Sequence, residues 1–354
     1  MTAMPVHFIV AGDPGQPTGG YVYDARIVEG LRALGFKVTV HGLPGRFPLP
    51  DSCATHALAN TLDGLADDSC VVIDGLAGGG LADVIEPHAG RLRLIGLVHH
   101  PLTDETGLDQ RTRELLKASE RRTIAAMDHV VVTSQYTAER LTALAMPSAA
   151  LSVVAPGVEP AQPAPARRAG PLRLLCVAGI TQRKGHDVLV EALARTADRS
   201  WRLRLVGPLD RSPACTQRLI AQIEAHQLTD RISLSGVLSA DDLAYAYQQS
   251  DLFVLASHYE GHGMVIDEAI AHGLPVVTTT GGALPLTLPD GCGLAVPPGD
   301  AVALADALAE LLDNPRQRAA CAAESRAAAA SQPRWEDAAR GFAAVLAEQV
   351  GVDA

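Results

Sequence analysis

Short apolar runs alternate with longer stretches of helical periodicity along the first half of the chain. The runs cover residues 7–11, 37–41, 70–73, 92–98, 129–133 and 151–154. They lack the polar alternation of strands with one solvated face, so they are typical of strands buried on both faces. The pattern predicts a parallel sheet with helices packed on both faces.

The same rhythm restarts later in the chain, at residues 172–177, 203–206, 232–234, 252–255 and 275–278. Between the two series lies the segment 156–165, in which four prolines favour an extended connector. From residue 301 onward the pattern is helical, and residues 335–350 are apolar at helical spacing. We therefore predict an α/β protein with one Rossmann-like domain over residues 1–165, a second over 166–334, and a terminal helix in 335–354.

Composition supports two folded domains and excludes some functions. The chain has 354 residues, of which 47% are apolar and 19% charged, so it can build two cores and is not disordered. Its net charge of −11 excludes a broad basic surface for nucleic acid. The six cysteines are widely spaced without a Cys-x-x-Cys pair, which argues against a zinc knuckle and fits a reducing compartment.

No targeting or spanning segment is predicted. The start of the chain has no Lys or Arg before its apolar run, and no apolar stretch approaches the ~20 residues of a membrane span. We expect a cytoplasmic protein. The predicted helix 111–127 carries five basic residues, so peripheral contact with anionic lipid at the inner face of the membrane stays open beside a solvated helix face with internal ion pairs.

The first candidate site is the loop between the first strand and a helix that starts near Tyr21. Ligands of parallel α/β sheets bind at the carboxyl ends of the strands, where this loop lies. Gly19 and Gly20 would let a phosphate approach the backbone N–H groups at the helix start. The spacing does not match Gly-x-Gly-x-x-Gly, which disfavours a dinucleotide oxidoreductase. A plain tight turn is the simpler alternative.

A pair of carboxylates follows the strand at residues 252–255. We predict a helix from Met264 to Gly273, so Glu260 lies on the loop and Glu268 in the second helical turn. Glycines around the helix start leave backbone N–H groups open to an anion. A solvated carboxylate and a surface ion pair are the simpler alternatives for the two residues taken singly.

Three side chains of this loop, His258, Glu260 and His262, are of types that bind zinc. No third histidine or cysteine lies near them in the sequence, and Gly261 makes a preformed helical metal face improbable. We therefore expect no metal site here. The chain also lacks an Asp-x-Asp pair, so a magnesium-bridged diphosphate is not indicated.

Cations and imidazoles follow two further strands. Arg183 and Lys184 lie on the loop after residues 172–177, where they could neutralise a nucleoside diphosphate, with a solvated basic turn as the alternative. His99 and His100 end a strand of the first domain, where a histidine is available for acid–base chemistry.

Together these residues resemble the retaining family-4 glycosyltransferases of the GT-B fold. Glu260 and Glu268 are separated by seven residues and match that family's Glu-Gly-x-Gly-Met…Glu-Ala…Gly-x-Pro-Val-Val motif. Lys184, which is followed by a glycine, matches the lysine of the family's basic motif. The resemblance implies two Rossmann-like domains facing a central cleft, with the first on the acceptor side and the second on the nucleotide-sugar side. It also implies that the C-terminal helix crosses back to the first domain.

The resemblance implies roles for individual residues. Glu260 would lie beside the donor sugar, with His99 or His100 as the first-domain histidine near it, and Glu268 would hold the ribose hydroxyls. Lys184 would neutralise the diphosphate. The other donor-binding residues that we expect are Gly19, Gly20, Arg183, Gly236, Val237, His262, and the amides of Gly263 and Met264.

One position departs from the family pattern. The family often has an arginine five residues before the lysine, and that position is Gly179 here. Arg183 is the candidate substitute.

The implied activity is transfer of a sugar from a UDP- or GDP-linked donor to an unidentified acceptor, with retention of anomeric configuration. A lipid-linked acceptor stays open. We expect same-face attack without a metal or further cofactor, in glycan or glycolipid biosynthesis. A nucleotide-sugar epimerase or a sugar phosphorylase on the same fold, and a non-catalytic sugar-nucleotide-binding protein, stay open as alternatives.

Overall fold

The computed structural model describes residues 5–146, 150–164 and 170–350. They form two compact units. One contains the chain up to Gly157 and from Arg334 onward, and the other is Val158–Pro333. Residue 165, where the sequence pattern places the domain boundary, lies outside the described residues.

The first unit contains a parallel sheet of six strands. They are β1 (Pro5–Ala11), β2 (Lys37–Leu43), β3 (Cys70–Asp74), β4 (Arg93–Val98), β5 (His129–Val132) and β6 (Leu151–Val153). Their order in the sheet is β2-β1-β3-β4-β5-β6. All residues of β3 and β5 are buried, which explains why residues 70–73 and 130–132 are apolar without alternation.

Helices cover this sheet. They are α1 (Gly19–Ala33), α2 (Ser52–Asp63), α3 (Gly75–Gly78), α4 (Ala82–Ile85), α5 (Gln110–Ala125) and α6 (Gln135–Ala143). Their starts are encoded locally, because side chains just before the first turn accept hydrogen bonds from its amides. Asp51, Asp109 and Ser134 cap α2, α5 and α6 in this way.

The second unit repeats the architecture with a different strand order. Its strands are β7 (Leu172–Val177), β8 (Trp201–Val206), β9 (Ile232–Leu234), β10 (Leu252–Leu255), β11 (Val276–Thr279) and β12 (Gly293–Val296), all parallel, in the order β12-β11-β10-β7-β8-β9. The eleven predicted strands are confirmed. Edge strand β12 was not predicted, because its four residues are mostly half-buried and begin with a glycine. A β-carbon at Gly293 would lie 1.8 Å from the carbonyl oxygen of Val276, so the pairing requires glycine.

The helices of the second unit are α7 (His186–Ala194), α8 (Pro213–Ala225), α9 (Ala240–Gln248), α10 (Met264–Ala271), α11 (Leu284–Thr287), α12 (Ala301–Asp313) and α13 (Pro315–Ala329). A short 3₁₀ turn, Gln182–Lys184, precedes α7. Asp300 and Asn314 cap α12 and α13. No helix in the described part of the chain is long and apolar enough to cross a membrane.

The last helix, α14 (Trp335–Val350), packs on α1 of the first unit. The approach is close, since a β-carbon at Gly30 would lie 2.3 Å from the β-carbon of Ala339. Phe342 is fully buried, and its ring lies 6.3 Å from that of Phe8. The predicted return of the C-terminal helix to the first domain is confirmed.

Each sheet has one switch point, which is the place between two neighbouring strands from which the chain continues toward opposite edges of the sheet. In the first sheet this point lies between β1 and β3, and in the second between β7 and β10. Loops after such a pair diverge and leave space for a ligand at the carboxyl ends of the strands. The loops after β7 and β10 carry the predicted cations and Glu260. The glycine pair that was predicted on the loop after β1, before a helix starting near Tyr21, instead forms the first two residues of α1.

Candidate active site

In the second unit, the two loops at the switch point are joined through their backbones. The amide of His258 donates to the carbonyl of Arg183 over 2.8 Å. The acidic loop is also held by the loop after β11, where the amide of Ala283 donates to the carbonyl of Glu260 at 2.9 Å. Gly185 permits the first of these contacts, because it has a φ of 61° and a β-carbon there would lie 2.1 Å from the carbonyl oxygen of Ala256. The basic loop and the acidic loop are therefore fixed against each other.

Glu260 lies at the centre of this contact and is buried. Its Oε1 accepts from Lys184 Nζ at 2.5 Å and from Ser257 Oγ at 2.6 Å, while Oε2 accepts from Arg183 Nη1 at 3.1 Å. Burial by itself would raise the pKa of Glu260. Lys184, Arg183 and the hydrogen bonds outweigh burial and lower that pKa to about 2. The carboxylate is thus ionised at physiological pH.

The two cations are themselves held in place. Burial lowers the pKa of Lys184, and Glu260 opposes this effect because the pair stabilises the ammonium. Arg183 also donates to the carbonyl of Tyr259 over 2.8 Å. Both predicted diphosphate ligands therefore converge on the predicted sugar-side carboxylate.

Helix α10 starts directly after this cluster. Gly263 at its N-cap has a left-handed φ of 101° and no side chain with which to cap the first-turn amides. His262 is fixed on the same turn, because its Nε2 lies 2.8 Å from Asp267 Oδ2 and its carbonyl accepts from Thr287. Met264, whose amide was predicted to bind donor oxygens, is the first helical residue.

Glu268 lies in the second turn of α10, as predicted, and is half-buried. The hydroxyl of Tyr247 donates to Glu268 Oε2 over 2.7 Å. Tyr247 is buried and stacks on His272 with ring centroids 4.8 Å apart, so its hydroxyl is a fixed donor. Tyr247 was not predicted, since only the tertiary structure brings α9 beside α10.

The loop after β9 contains Gly236 and Val237, two of the residues predicted to bind the donor. Gly236 has a φ of 67°, and its carbonyl accepts from Gly207 at 2.9 Å. Val237 is 53% exposed. Nearby, the side-chain stem of Arg211 lies beside Gly179, with Arg211 Cγ 3.8 Å from the place of a β-carbon. Arg211 is a cation at the carboxyl end of β8 that was not predicted.

The first unit brings His99 to the start of α1. The nearest atoms to a β-carbon at Gly20 belong to the His99 ring, at 3.3 Å, whereas no atom lies within 4 Å of a β-carbon at Gly19. Two acids that were not predicted, Asp24 and Asp74, approach His99 Nε2 at 3.0 and 3.5 Å. No sequence spacing signals them, because α1 and β3 supply one each.

His100 lies on the same loop, and its Nε2 is 3.3 Å from Glu105 Oε2. The loop is tethered at three further points. Both oxygens of Glu120 accept from the Leu102 amide at 3.0 Å, Arg140 binds Asp104 through two bonds of 2.7 Å, and Arg113 donates to the Thr103 carbonyl. This loop is therefore a rigid support for the two histidines.

Among the described residues, one set of three side chains is close enough to hold a metal ion, and it consists of Asp24, Asp74 and His99. No such set is formed by His258, Glu260 and His262, which all lie within the described residues. The carboxylate of Glu260 instead forms ion pairs with Arg183 and Lys184.

The fold has full-length counterparts among solved structures. Sucrose-phosphate synthase from Thermosynechococcus elongatus superposes with a TM-score of 0.84 at 23% identity, covering 98% of this chain and 99% of that one. Anabaena HepE, solved with UDP and glucose, gives 0.78 at 19% identity, covering 98% and 100%. The two Rossmann-like sheets thus form the GT-B fold.

The sequence comparisons find glycosyltransferases. Residues 159–328 match the model for Glycosyl transferases group 1. The chain is 28% identical over 321 residues to the MMP alpha-(1->4)-mannosyltransferase of Mycolicibacterium hassiacum, covering 86% of this chain and 76% of the relative. It is 32% identical over 247 residues to the D-inositol 3-phosphate glycosyltransferase of Xylanimonas cellulosilytica, covering 65% and 59%. Over residues 159–328 the chain therefore matches the group 1 glycosyltransferases, and the relatives that it matches over a longer stretch are glycosyltransferases as well.

Proposed function

We propose that this protein transfers a sugar from a nucleoside-diphosphate sugar to an acceptor hydroxyl, with retention of anomeric configuration and without a metal ion. One observation carries the proposal. A buried, ionised Glu260 is bound by Lys184 and Arg183 directly before the uncapped start of α10. Such a site offers positive charge to a diphosphate and negative charge to a sugar cation within one cluster.

The cations and the helix start are assigned to the diphosphate. Two basic side chains and the amides of a glycine-led helix N-terminus are a strong combination for phosphate oxygens. On binding, Lys184 and Arg183 would share their positive charge between Glu260 and the leaving group. This arrangement supplies the stabilisation that a divalent ion provides elsewhere, which is why we propose a metal-independent reaction.

Glu268 is assigned to the ribose hydroxyls. A carboxylate accepts two hydroxyl hydrogen bonds well, and the fixed Tyr247 hydroxyl sets the orientation of this one. The crystal structure of Anabaena HepE with UDP and glucose supports a nucleoside diphosphate as the bound form, with UDP and GDP as the bases to compare first.

Glu260 is assigned to electrostatic stabilisation of an oxocarbenium-like sugar. Its pKa of about 2 prevents it from acting as a general acid. Three donors occupy its two oxygens, which makes it a poor nucleophile. We therefore propose same-face attack: the anomeric carbon–phosphate oxygen bond breaks, the acceptor oxygen bonds to that carbon, and the acceptor proton moves to the leaving phosphate.

The test begins with calorimetric binding of UDP, GDP, ADP and NAD to the purified full chain. We expect one nucleoside diphosphate to bind selectively, Glu268→Ala to weaken it at least about tenfold, and the exposed control Glu224→Ala to leave it unchanged. EDTA is expected to have no effect on binding or turnover. Binding of NAD alone, or of no nucleotide, would overturn the proposal.

The selected donor is then incubated with acceptor hydroxyl compounds, including sugar phosphates, inositol phosphates and lipid-linked sugars. NMR of the product should show the anomeric configuration of the donor. Isomerised donor in the absence of acceptor would identify an epimerase instead. A glycosyl-enzyme trapped on Glu260 would contradict same-face attack.

A further inference from the structure

A buried acid–histidine cluster lies at the switch point of the first sheet, and the proposed function assigns no role to its acids. His99 Nε2 lies 3.0 Å from Asp24 Oδ1 and 3.5 Å from Asp74 Oδ2. The acid side chains are 8% and 6% exposed, against 20% for that of His99. The imidazole is therefore the member of the cluster that a ligand can reach.

Both acids approach the same ring nitrogen. An ionised carboxylate only accepts hydrogen bonds, so the short contact with Asp24 requires hydrogen on Nε2 of His99. Nδ1 is then the nitrogen on the other side of the ring from the acids. Two carboxylates beside one imidazole also favour its doubly protonated form, in which Nδ1 is a donor.

The orientation of the ring is set by α1 and by the end of β3. Tyr23 packs its edge against His99, with centroids 5.3 Å apart and planes at 83°, and its hydroxyl donates to the carbonyl of Val154 over 2.8 Å. Burial, and next Asp24, raise the pKa of Tyr23 well above its ordinary value, so the phenol stays neutral. Asp74 is anchored by the amides of the next turn, where it caps α3.

We propose that Asp24 and Asp74 are positioning residues for His99: they hold Nε2 inward as a hydrogen donor and keep a second hydrogen on Nδ1, which makes the ring a donor to a substrate oxygen. The inference rests on the proposed function, because it takes the sugar donor or its acceptor as the substrate. It gives Asp24 and Asp74 a role through His99, which the resemblance places near the donor sugar.

The charges of the cluster support this arrangement. Burial lowers the pKa of His99, but Asp24 and then Asp74 outweigh burial, so the pKa is raised overall. Burial, and next Asp24, raise the pKa of Asp74 to about 7. The imidazolium is thus paired with at least one carboxylate near neutral pH. Within the described residues, the titratable groups that face His99 are Asp24 and Tyr23 from α1 and Asp74 from β3.

The test is a pH titration of the full chain labelled with ¹⁵N-histidine, followed by two-bond ¹H–¹⁵N NMR. The chain has 12 histidines, so loss of one signal set in His99→Gln assigns the ring. In the wild type we expect the neutral ring to carry its hydrogen on Nε2. A neutral ring with hydrogen on Nδ1 would overturn the proposal without the need for any further variant.

The variants supply the second readout. Asp24→Asn should move the His99 midpoint to lower pH, and Asp74→Asn should move it the same way by less, since its contact is longer. Glu105→Gln, which alters the partner of the neighbouring His100, should leave the His99 midpoint unchanged. An unchanged midpoint in Asp24→Asn would refute the positioning role.

Zinc titration of the same sample separates this proposal from a metal site built from the same atoms. Zn²⁺ that shifts the His99 signals in the wild type but not in Asp24→Asn would overturn it. The NMR readouts need no turnover, so their failure and that of the proposed transferase are distinguishable. If a donor is found, Asp24→Asn should also lower the pH at which kcat declines.

Discussion

The ion cluster around Glu260 predicts a specific pH dependence of stability for the second unit. The folded pKa of about 2, against an ordinary 4.5, corresponds to about 3 kcal/mol of stabilisation when the carboxylate is ionised. The side chain of Glu260 is 9% exposed, so screening by solvent reduces this stabilisation only slightly. Because the folded pKa is depressed, the contribution is complete above the unfolded pKa and disappears as the pH falls through the folded one.

Most of this loss falls at low pH. From the two pKa values, about 1 kcal/mol is lost between pH 7 and pH 4, and most of the remainder between pH 4 and pH 2. Glu260→Gln should remove this dependence. At pH 7 the substitution should also destabilise the second unit by about 3–5 kcal/mol, since it leaves Lys184 and Arg183 buried without their counter-charge.

The assay is urea unfolding at a series of pH values, followed by tryptophan fluorescence. The chain has two tryptophans, and Trp335→Phe leaves buried Trp201 as the reporter of the second unit. Glu224→Gln in the same background is the control for an exposed carboxylate. If Glu260→Gln and its parent lose equal stability between pH 7 and pH 4, the depressed pKa is wrong and the cluster does not bind as described.

Three further substitutions test other parts of the structure. Gly185→Ala should destabilise the second unit by more than about 1 kcal/mol in urea unfolding, because its φ is positive and the new methyl group meets the carbonyl of Ala256. Tyr247→Phe should weaken nucleoside diphosphate binding about tenfold by calorimetry, since the orientation of Glu268 is lost, and should not affect a 2′,3′-dideoxy analogue. Gly30→Val should cost about 1–3 kcal/mol and raise protease cleavage near α14, whereas an unchanged cleavage pattern would contradict the close α1–α14 packing.

The strands were predictable because burial on both faces leaves a local signature. Residues 70–73 of β3 and 130–132 of β5 are continuously apolar because both faces of these strands are buried, and this pattern can be read from each segment alone. Strand β12 lacks that signature, since it lies at the sheet edge and is mostly half-buried. Its place depends on Gly293 and the carbonyl of Val276, a contact between segments that no local window contains.

The candidate site likewise contains residues that could be identified from the sequence and residues that could not. Glu260, Glu268 and Lys184 could be selected from the chain because glycines and strand ends mark the loops and the helix start around them. Their partners could not be selected, since Ser257, Tyr247 and the pairing of Arg183 with Glu260 depend on which loops meet at the switch point.

The first unit shows most clearly which residues the sequence could identify and which it could not. His99 was selected from its place at a strand end, with His100 as its alternative, and the structure sets His99 against Gly20 and two acids. The amino-acid sequence by itself determined the two α/β repeats, the helix starts and the loops where chemistry collects, because these follow from periodicity, capping and glycine. Only the tertiary structure decided that Asp24, on α1, and Asp74, at the end of β3, share one imidazole nitrogen. Hydrogen bonding and charge act over about 3 Å in space, and sequence separation places no limit on which residues come that close.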